Sequence, residues 1–167
     1  KSEVTMSLDK LYTNLIMEHN KKTFNKREIT CNCIERGHNP NCGDDITVQL
    51  NIENDIVKDA AFIGIGCAIS TASSSILMDL IRGKKVTDAE RIVTNFLNMI
   101  KGEELSEEAL DELDEASLLE NIKNMPARVK CATLAWNGAR VIFEKHEANK
   151  NIESYASNGV RFLYNPE

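Results

Sequence analysis

The feature that most constrains this chain is a change of hydrophobic period near residue 66. Residues 45–52, "DITVQLNI", set Ile46, Val48, Leu50 and Ile52 against polar neighbours. Alternation with a period of two marks a half-buried strand. Asn54 and Asp55 follow as a turn, and "IVKDAAFIGIG" returns as the next strand, with Gly64 and Gly66 at its end. Upstream, "KREITCNC" reads as a third, short strand. After Gly66 the period becomes helical. Ile69, Ile76, Leu77, Leu80 and Ile81 predict a helix from Cys67 to Arg82, stopped by Gly83.

"VTDAERIVTNFLNMIKG" opens with Thr87 and Glu90 in capping-box spacing and predicts a helix ending at Gly102. "LSEEALDELDEASLLENIKN" holds a short helix or two, and the acidic run Glu103 to Glu120 reads as a solvated helix face. "MPARVKCATLAWNGARVIFEKHEA" predicts a final long helix with Pro126 in its first turn, where a missing N–H costs nothing. At the other end, Leu8, Leu11, Tyr12, Leu15, Ile16 and His19 form a helical stripe over Leu8 to Asn20, with its apolar face inward and His19 packed at the core edge. Strands first and helices second give an α+β fold: a three-stranded antiparallel sheet with helices packed on one face. One domain over residues 1–148 is expected. Residues 149–167 lose periodicity and are expected to form a tail with no clear element.

Charge and composition exclude several function classes. The formal net charge of −6 argues against a general nucleic-acid binder, which needs basic surface to neutralise phosphates. No apolar run reaches the length of a membrane span, and "KSEVTMSLDK" lacks the apolar core of a signal peptide. The first residue is Lys1 and not Met, so a trimmed or processed chain is expected. Five cysteines, an odd number, argue against a disulfide framework and for reduced thiols in the cytoplasm.

Three of those cysteines occupy special places. Cys42 lies in "NPNCGDDITV", where Gly43 lets the backbone turn so that Cys42 and Asp44 can face one point. Cys67 follows "GIG" at a helix start, where N–H groups favour a thiolate. Cys131 lies inside the last helix, in "PARVKCATLAW". Three thiolates and a carboxylate make a four-coordinate set that suits zinc or an iron–sulfur cluster. An oxygen is a poorer partner for cluster iron than a fourth thiolate, which leaves one weak bond. Arg128 and Lys130, beside Cys131, can offset the excess negative charge. By spacing alone the signal is weak, because scattered cysteines more often serve as small buried hydrophobes.

Those same segments carry a resemblance. "NPNCGDDITV", "GIGCAISTASS" and "PARVKCATLAW", with "LYTNLIMEHNKK" in the first helix, resemble the IscU/NifU N-terminal family of iron–sulfur assembly proteins. The resemblance covers Leu8 to Lys145. Lys130 stands where the IscU branch has a histidine, "MPARVK" departs from that branch's chaperone-binding segment, and the chain carries additional residues over Lys101 to Asn124. These features are similar to the SufU branch. The resemblance implies metal ligation by Cys42, Asp44, Cys67 and Cys131, with Arg128 and Lys130 as the basic residues beside the last thiol. It also implies sulfur acceptance from a cysteine desulfurase, with delivery to downstream iron–sulfur acceptor or scaffold proteins.

The expected function is a zinc-dependent sulfurtransferase with Cys42 as the persulfide acceptor. Zinc would keep Cys42 deprotonated and protected until a ligand exchange frees it. The alternative is a non-enzymatic scaffold that assembles and transfers a [2Fe–2S] cluster, in which Cys131 would be the sulfur acceptor. A purely structural zinc domain is disfavoured by the carboxylate donor. Cys31, Cys33 and His38 match no position of the family pattern. Strand packing or exposure is the plain reading, and sulfur relay or extra metal binding the sharper one. Asp45 is expected to be a solvated turn residue.

Overall fold

The computed structural model describes residues 2–157, with side chains from Leu8 to Ser154. The elements follow in chain order as α1 (Ser2–Lys21), β1 (Cys33–Asn39), β2 (Asp44–Glu53), β3 (Ile56–Ile65), α2 (Ala68–Ile81), α3 (Val86–Ile100), α4 (Glu107–Leu113) and α5 (Pro126–Ser157). A 3-10 turn spans Thr23–Asn25 and a longer 3-10 run spans Asp114–Asn124. The sheet is antiparallel in the order β1-β2-β3. Asn54 and Asp55 both adopt positive φ, 52° and 60°, as a two-residue hairpin turn requires. The α+β architecture expected from the change of period is the one observed.

The helices cover the face that carries Ile46, Val48, Leu50 and Ile52, all of them buried. Trp136 of α5 stacks on Phe96 of α3 with ring centroids 3.7 Å apart at the centre of the helical layer. The segment 114–124 inserts Ala116, Leu119 and Ile122 into the same core while Asp114 and Glu120 face outward, and Glu112 of the preceding α4 reaches Arg91 at 2.6 Å. The acidic run is therefore a solvated face over a buried stripe.

The third strand lies downstream of its expected place. Residues 26–32 form a strap instead. Lys26 bridges to Phe62 on the β3 edge, and the Gln49 amide takes Ile29 N–H and donates to Arg27 O. Asn32 then exchanges two hydrogen bonds with the Ile52 backbone through its side chain. Gln49 points away from the helices yet is 3% exposed, because the strap lies over it. Side-chain amides replace the ladder here, so a strand-like composition forms no strand. The real β1 offers Cys33, Glu35 and Gly37 inward, with no apolar alternation. A Cβ at Gly37 would come within 2.9 Å of Leu134 Cδ1, so the close approach of α5 selects glycine over a larger inward residue.

Three helix expectations are also corrected. Leu15 and Ile16 of α1 are buried, but Leu8 and Leu11 remain about half exposed, at 52% and 48%. The Thr87–Glu90 capping box does not form, because α3 starts at Val86 with no side-chain cap, and Val86 N–H donates to Asp55 O of the hairpin at 2.9 Å. Helix α5 runs on to Ser157, so residues 149–157 are helical and not a tail without structure. Lys150 there reaches Asp55 at 3.1 Å. Residues 158–167, with Phe162 and Tyr164, lie outside the described residues. Among the described residues, no helix is long and apolar enough to cross a membrane.

Candidate metal centre

The β1–β2 connection is a four-residue loop between the paired residues Asn39 and Asp44. It carries Cys42, which is exposed, and Gly43 at φ 73°, a conformation that glycine adopts without cost. Asp44 opens β2 and turns inward, only 1% exposed. Beyond β3, Cys67 is the N-cap of α2, and its sulfur accepts Ser70 N–H at 3.4 Å. Cys131 projects from the second turn of α5 and is buried.

These elements bring donor atoms of Cys42, Asp44 and Cys131 within 4.8 Å of one another and set Cys67 beside Asp44. Cys42 Sγ donates to Asp44 Oδ2 at 3.1 Å and lies 3.4 Å from Cys131 Sγ, although the two thiols are 89 residues apart in sequence. Cys67 Sγ lies 3.9 Å from Asp44 Oδ2, and Cys67 N–H donates to Asp44 Oδ1 at 2.9 Å. Asp44 is thus the hub, touching two of the thiols and the backbone of α2. Burial pushes the Cys131 thiol far above its ordinary range, with Cys42, Asp44 and Cys67 adding to the effect. For Cys131 the thiolate is unfavourable here unless a cation joins the group.

The donor chemistry fits such a cation. Four donors at Zn–S bonds near ~2.3 Å stand about 3.5–3.8 Å from one another. The spacings of 3.1, 3.4 and 3.9 Å lie about that value. Cys42, Asp44 and Cys131 would hold the metal, and Cys67, its sulfur 3.9 Å from Asp44, stands at the edge of that set.

The other singled-out residues are elsewhere. Arg128 and Lys130 sit exposed on the first turns of α5. The Arg128 guanidinium reaches Met125 Sδ at 3.5 Å, and neither residue makes a hydrogen bond or ion pair with the four donors. Asp45 is not a free turn residue: it lies in β2 and takes a bidentate pair from Arg36 at 2.9 and 2.6 Å. That pair holds the Asp45 carboxyl below its usual range. His38 is exposed on β1 opposite Asp45. Cys33 pairs with Leu50 at the far end of β1 from Asn39. Six strand steps put it roughly 20 Å from the Cys42 loop, which removes a direct sulfur relay.

A second group, His19, Asp79 and Glu115, has donor atoms within 4.8 Å of one another. Its valences are already used. His19 is buried between Ser75 Oγ (2.7 Å) and Glu115 (3.2 Å), while Asp79 accepts from Lys22, Asn25 and Arg82. It is a polar network that docks α1, as the packed reading of His19 anticipates.

Sequence reasoning missed two groups that shape the centre. Ser73 Oγ donates to Ala132 O at 2.5 Å and accepts Trp136 Nε1–H at 2.9 Å, clipping α2 to α5 beside Cys131. Asn39, 7% exposed, accepts hydrogen bonds from the loop that carries Cys42. The dipeptide Asn39-Pro40 was the available signal for the latter, since Asn before a turn commonly bonds two residues on.

The chain is similar to proteins of known sequence and structure over most of its length. Over 84% of this chain and 95% of the relative, it is 37% identical to the zinc-dependent sulfurtransferase SufU of Bacillus subtilis (strain 168). It is 38% identical, over 81% of the chain and 94% of the relative, to the iron–sulfur cluster assembly scaffold protein IscU of Thermotoga maritima. The crystal structure of FiSufU from Fervidobacterium islandicum AW-1 superposes with a TM-score of 0.72 at 32% identity, covering 80% of this chain and 96% of that one. Residues 11–152 match the NifU-like N-terminal domain, and the chain belongs to that family.

Proposed function

We propose that this chain is a zinc-dependent sulfurtransferase of iron–sulfur cluster assembly, working in the cytoplasm, where thiols stay reduced. It takes sulfur from the persulfide of a cysteine desulfurase and passes it to downstream assembly proteins. The observation that carries this reading is the donor set itself: three thiols and one buried carboxylate, in which Cys42 and Cys67 are exposed but Cys67 is tied to α2 as its N-cap, while Cys42 rides on the β1–β2 loop. The relationship to SufU supports the zinc-dependent transfer reading over others.

Cys42 is the acceptor in this reading. Its thiolate attacks the terminal sulfur of the donor persulfide. A new S–S bond forms at Cys42 Sγ, the donor's S–S bond breaks, and the electron pair leaves on the donor cysteine as a thiolate. The proton stays on the transferred sulfur, so no outside oxidant or reductant is needed. Asp44 holds the resting Cys42 sulfur at 3.1 Å, and Cys67 and Cys131 keep their places on helices while Cys42 moves. Bound zinc would supply a Lewis acid that keeps the thiols ionised at neutral pH. Arg128 and Lys130, exposed near the mouth, fit a role in meeting the partner rather than in holding the sulfurs.

A scaffold for a [2Fe–2S] cluster is the second reading, favoured by the IscU relative of similar identity and by the same four donors. Two measurements separate the two. Protein purified without oxygen should contain one zinc per chain and no cluster absorbance. Mass spectrometry after incubation with desulfurase and cysteine should find the added sulfur on Cys42, and Cys42→Ala should abolish it. Sulfur on Cys131 in the parent, with transfer undiminished in Cys42→Ala, would reverse the assignment in favour of the scaffold.

A further inference from the structure

The loop that carries Cys42 has four residues, and Pro40 among them has no N–H. The other three N–H groups all donate to one residue. Asn41 N–H reaches Asn39 Oδ1 at 3.2 Å, Cys42 N–H reaches Asn39 O at 3.3 Å, and Gly43 N–H reaches Asn39 O at 2.9 Å. Asn39 is the last residue of β1, paired across the hairpin with Asp44, and is almost fully buried. Its backbone is held in the β1–β2 ladder while its carbonyl and amide oxygens hold the loop.

We propose that Asn39 is the positioning residue for Cys42: its side-chain amide fixes where the sulfur rests over Asp44 and Cys131, and so how readily that sulfur leaves. The backbone acceptor is common to any residue at this position. The Oδ1 bond to Asn41 is not. It closes an Asx turn that aims Pro40-Asn41 across the hairpin and sets the loop's entry angle. Without it, the loop keeps two hydrogen bonds at its exit and none at its entry. Cys42 then samples positions away from Asp44, and the donor set is complete for a smaller fraction of the time. The amide suits this role because it brings no charge beside the Asp44 carboxylate.

The meaning of this inference rests on Cys42 as the sulfur acceptor, but its test does not. Asn39→Ala and Asn39→Ser are compared with the parent, without a desulfurase. Zinc affinity is read by competition with a chelator. The alkylation rate of Cys42 is read by peptide mass spectrometry on the metal-free chain, against Cys31, in the strap before β1, as an internal reference. Asn39→Ala should lower zinc affinity about tenfold, as removal of an outer-shell partner does. It should raise Cys42 alkylation while leaving Cys31 unchanged. Serine, which makes the same turn more weakly, should fall between alanine and the parent.

Parent-like affinity and alkylation in Asn39→Ala would overturn the proposal. So would a rise shared equally by Cys31 and Cys42, which would mean general loosening. Should the alanine variant fail to fold, the serine variant decides by the same two readouts. A parent-like result here with persulfide still found on Cys42 would overturn the positioning role and leave the transfer reading standing. The opposite pair of outcomes would do the reverse.

Discussion

Two of the thiols at the centre are carried by helices, and the third by a loop. Cys67 caps α2, with Ser70 N–H on its sulfur and its own N–H on Asp44. Cys131 is buried in α5, which Ser73 and Trp136 clip to α2 one turn further on. To move either sulfur far, a helix must shift against the core. Cys42 is exposed and rides on four residues whose N–H groups all end on Asn39. Moving it costs a few hydrogen bonds, each worth only about 0.5–1.5 kcal/mol net. One donor set thus contains a rigid half and a releasable one, and backbone context, not donor chemistry, distinguishes them.

The rigid half is broken most severely at Trp136. The ring is fully buried, stacks on Phe96 and donates to Ser73. Trp136→Ala should cost about 3–5 kcal/mol in urea unfolding, as large core truncations do. Zinc affinity should fall with it, because Cys131 loses its fixed relation to Cys67. A variant that unfolds earlier but binds zinc like the parent would show that the clip does not position the thiol.

Asp44 joins the halves, so its removal should separate stability from binding. Asp44→Ala should retain the fold and lose zinc affinity by on the order of 100-fold, at least the upper end of an outer-shell loss. Chelator competition beside a melting curve checks both. Affinity equal to the parent would remove the carboxylate from the ligand set. With a [2Fe–2S] cluster in place of zinc, the same variant should retain the cluster longer during isolation, because the weak oxygen donor that promotes release is gone.

This division was only partly legible in the sequence. Strands β2 and β3 and their turn were plain, because one face is buried and one is not, and that asymmetry writes a period of two. The start of α2 at Cys67 was plain for a similar reason. Strand β1 was not, because its inward positions face a closely packed helix and hold Cys33, Glu35 and Gly37 in place of aliphatics. The strap before it looked like a strand because it is extended. Its hydrogen bonds go to the side chain of Gln49 and come from that of Asn32, which periodicity does not report. Convergence of thiols 89 residues apart has no local signature: turn and helix-start context proposed the four donors as a set only weakly, and the family resemblance was needed to make them specific. The clasp at Asn39 was hidden because a turn dipeptide reveals a turn without showing what the turn carries.

Thiol reactivity sharpens the comparison with a smaller effect. In the metal-free chain, Cys42 should alkylate first and Cys131 last of the three. Cys131 is buried, and its thiol is held protonated by that burial and by the groups around it. Timed alkylation with peptide mapping gives the order. Cys131 reacting as fast as Cys42 would mean that α5 opens as readily as the loop, and the distinction between the halves would fail.

The smallest effect is expected at the other end of α5. Asp55, in the hairpin turn, accepts from His146 at 2.9 Å and Lys150 at 3.1 Å. These hydrogen bonds hold its carboxyl below the usual range. A carboxyl lowered in this way stabilises the fold above its unfolded value, and the contribution is lost as pH falls through the lowered value. The pair is exposed, so the contribution is modest. Asp55→Asn should therefore melt slightly below the parent at neutral pH, and the two curves should converge in acid. Zinc affinity at neutral pH should be unchanged, because the position of Cys131 is set at Ser73 and Trp136, near the thiol, and not where α5 meets the hairpin. A clear loss of zinc affinity in Asp55→Asn would show that α5 transmits strain along its whole length. The rigidity of Cys131 would then belong to the helix as a unit and not to the clip beside it.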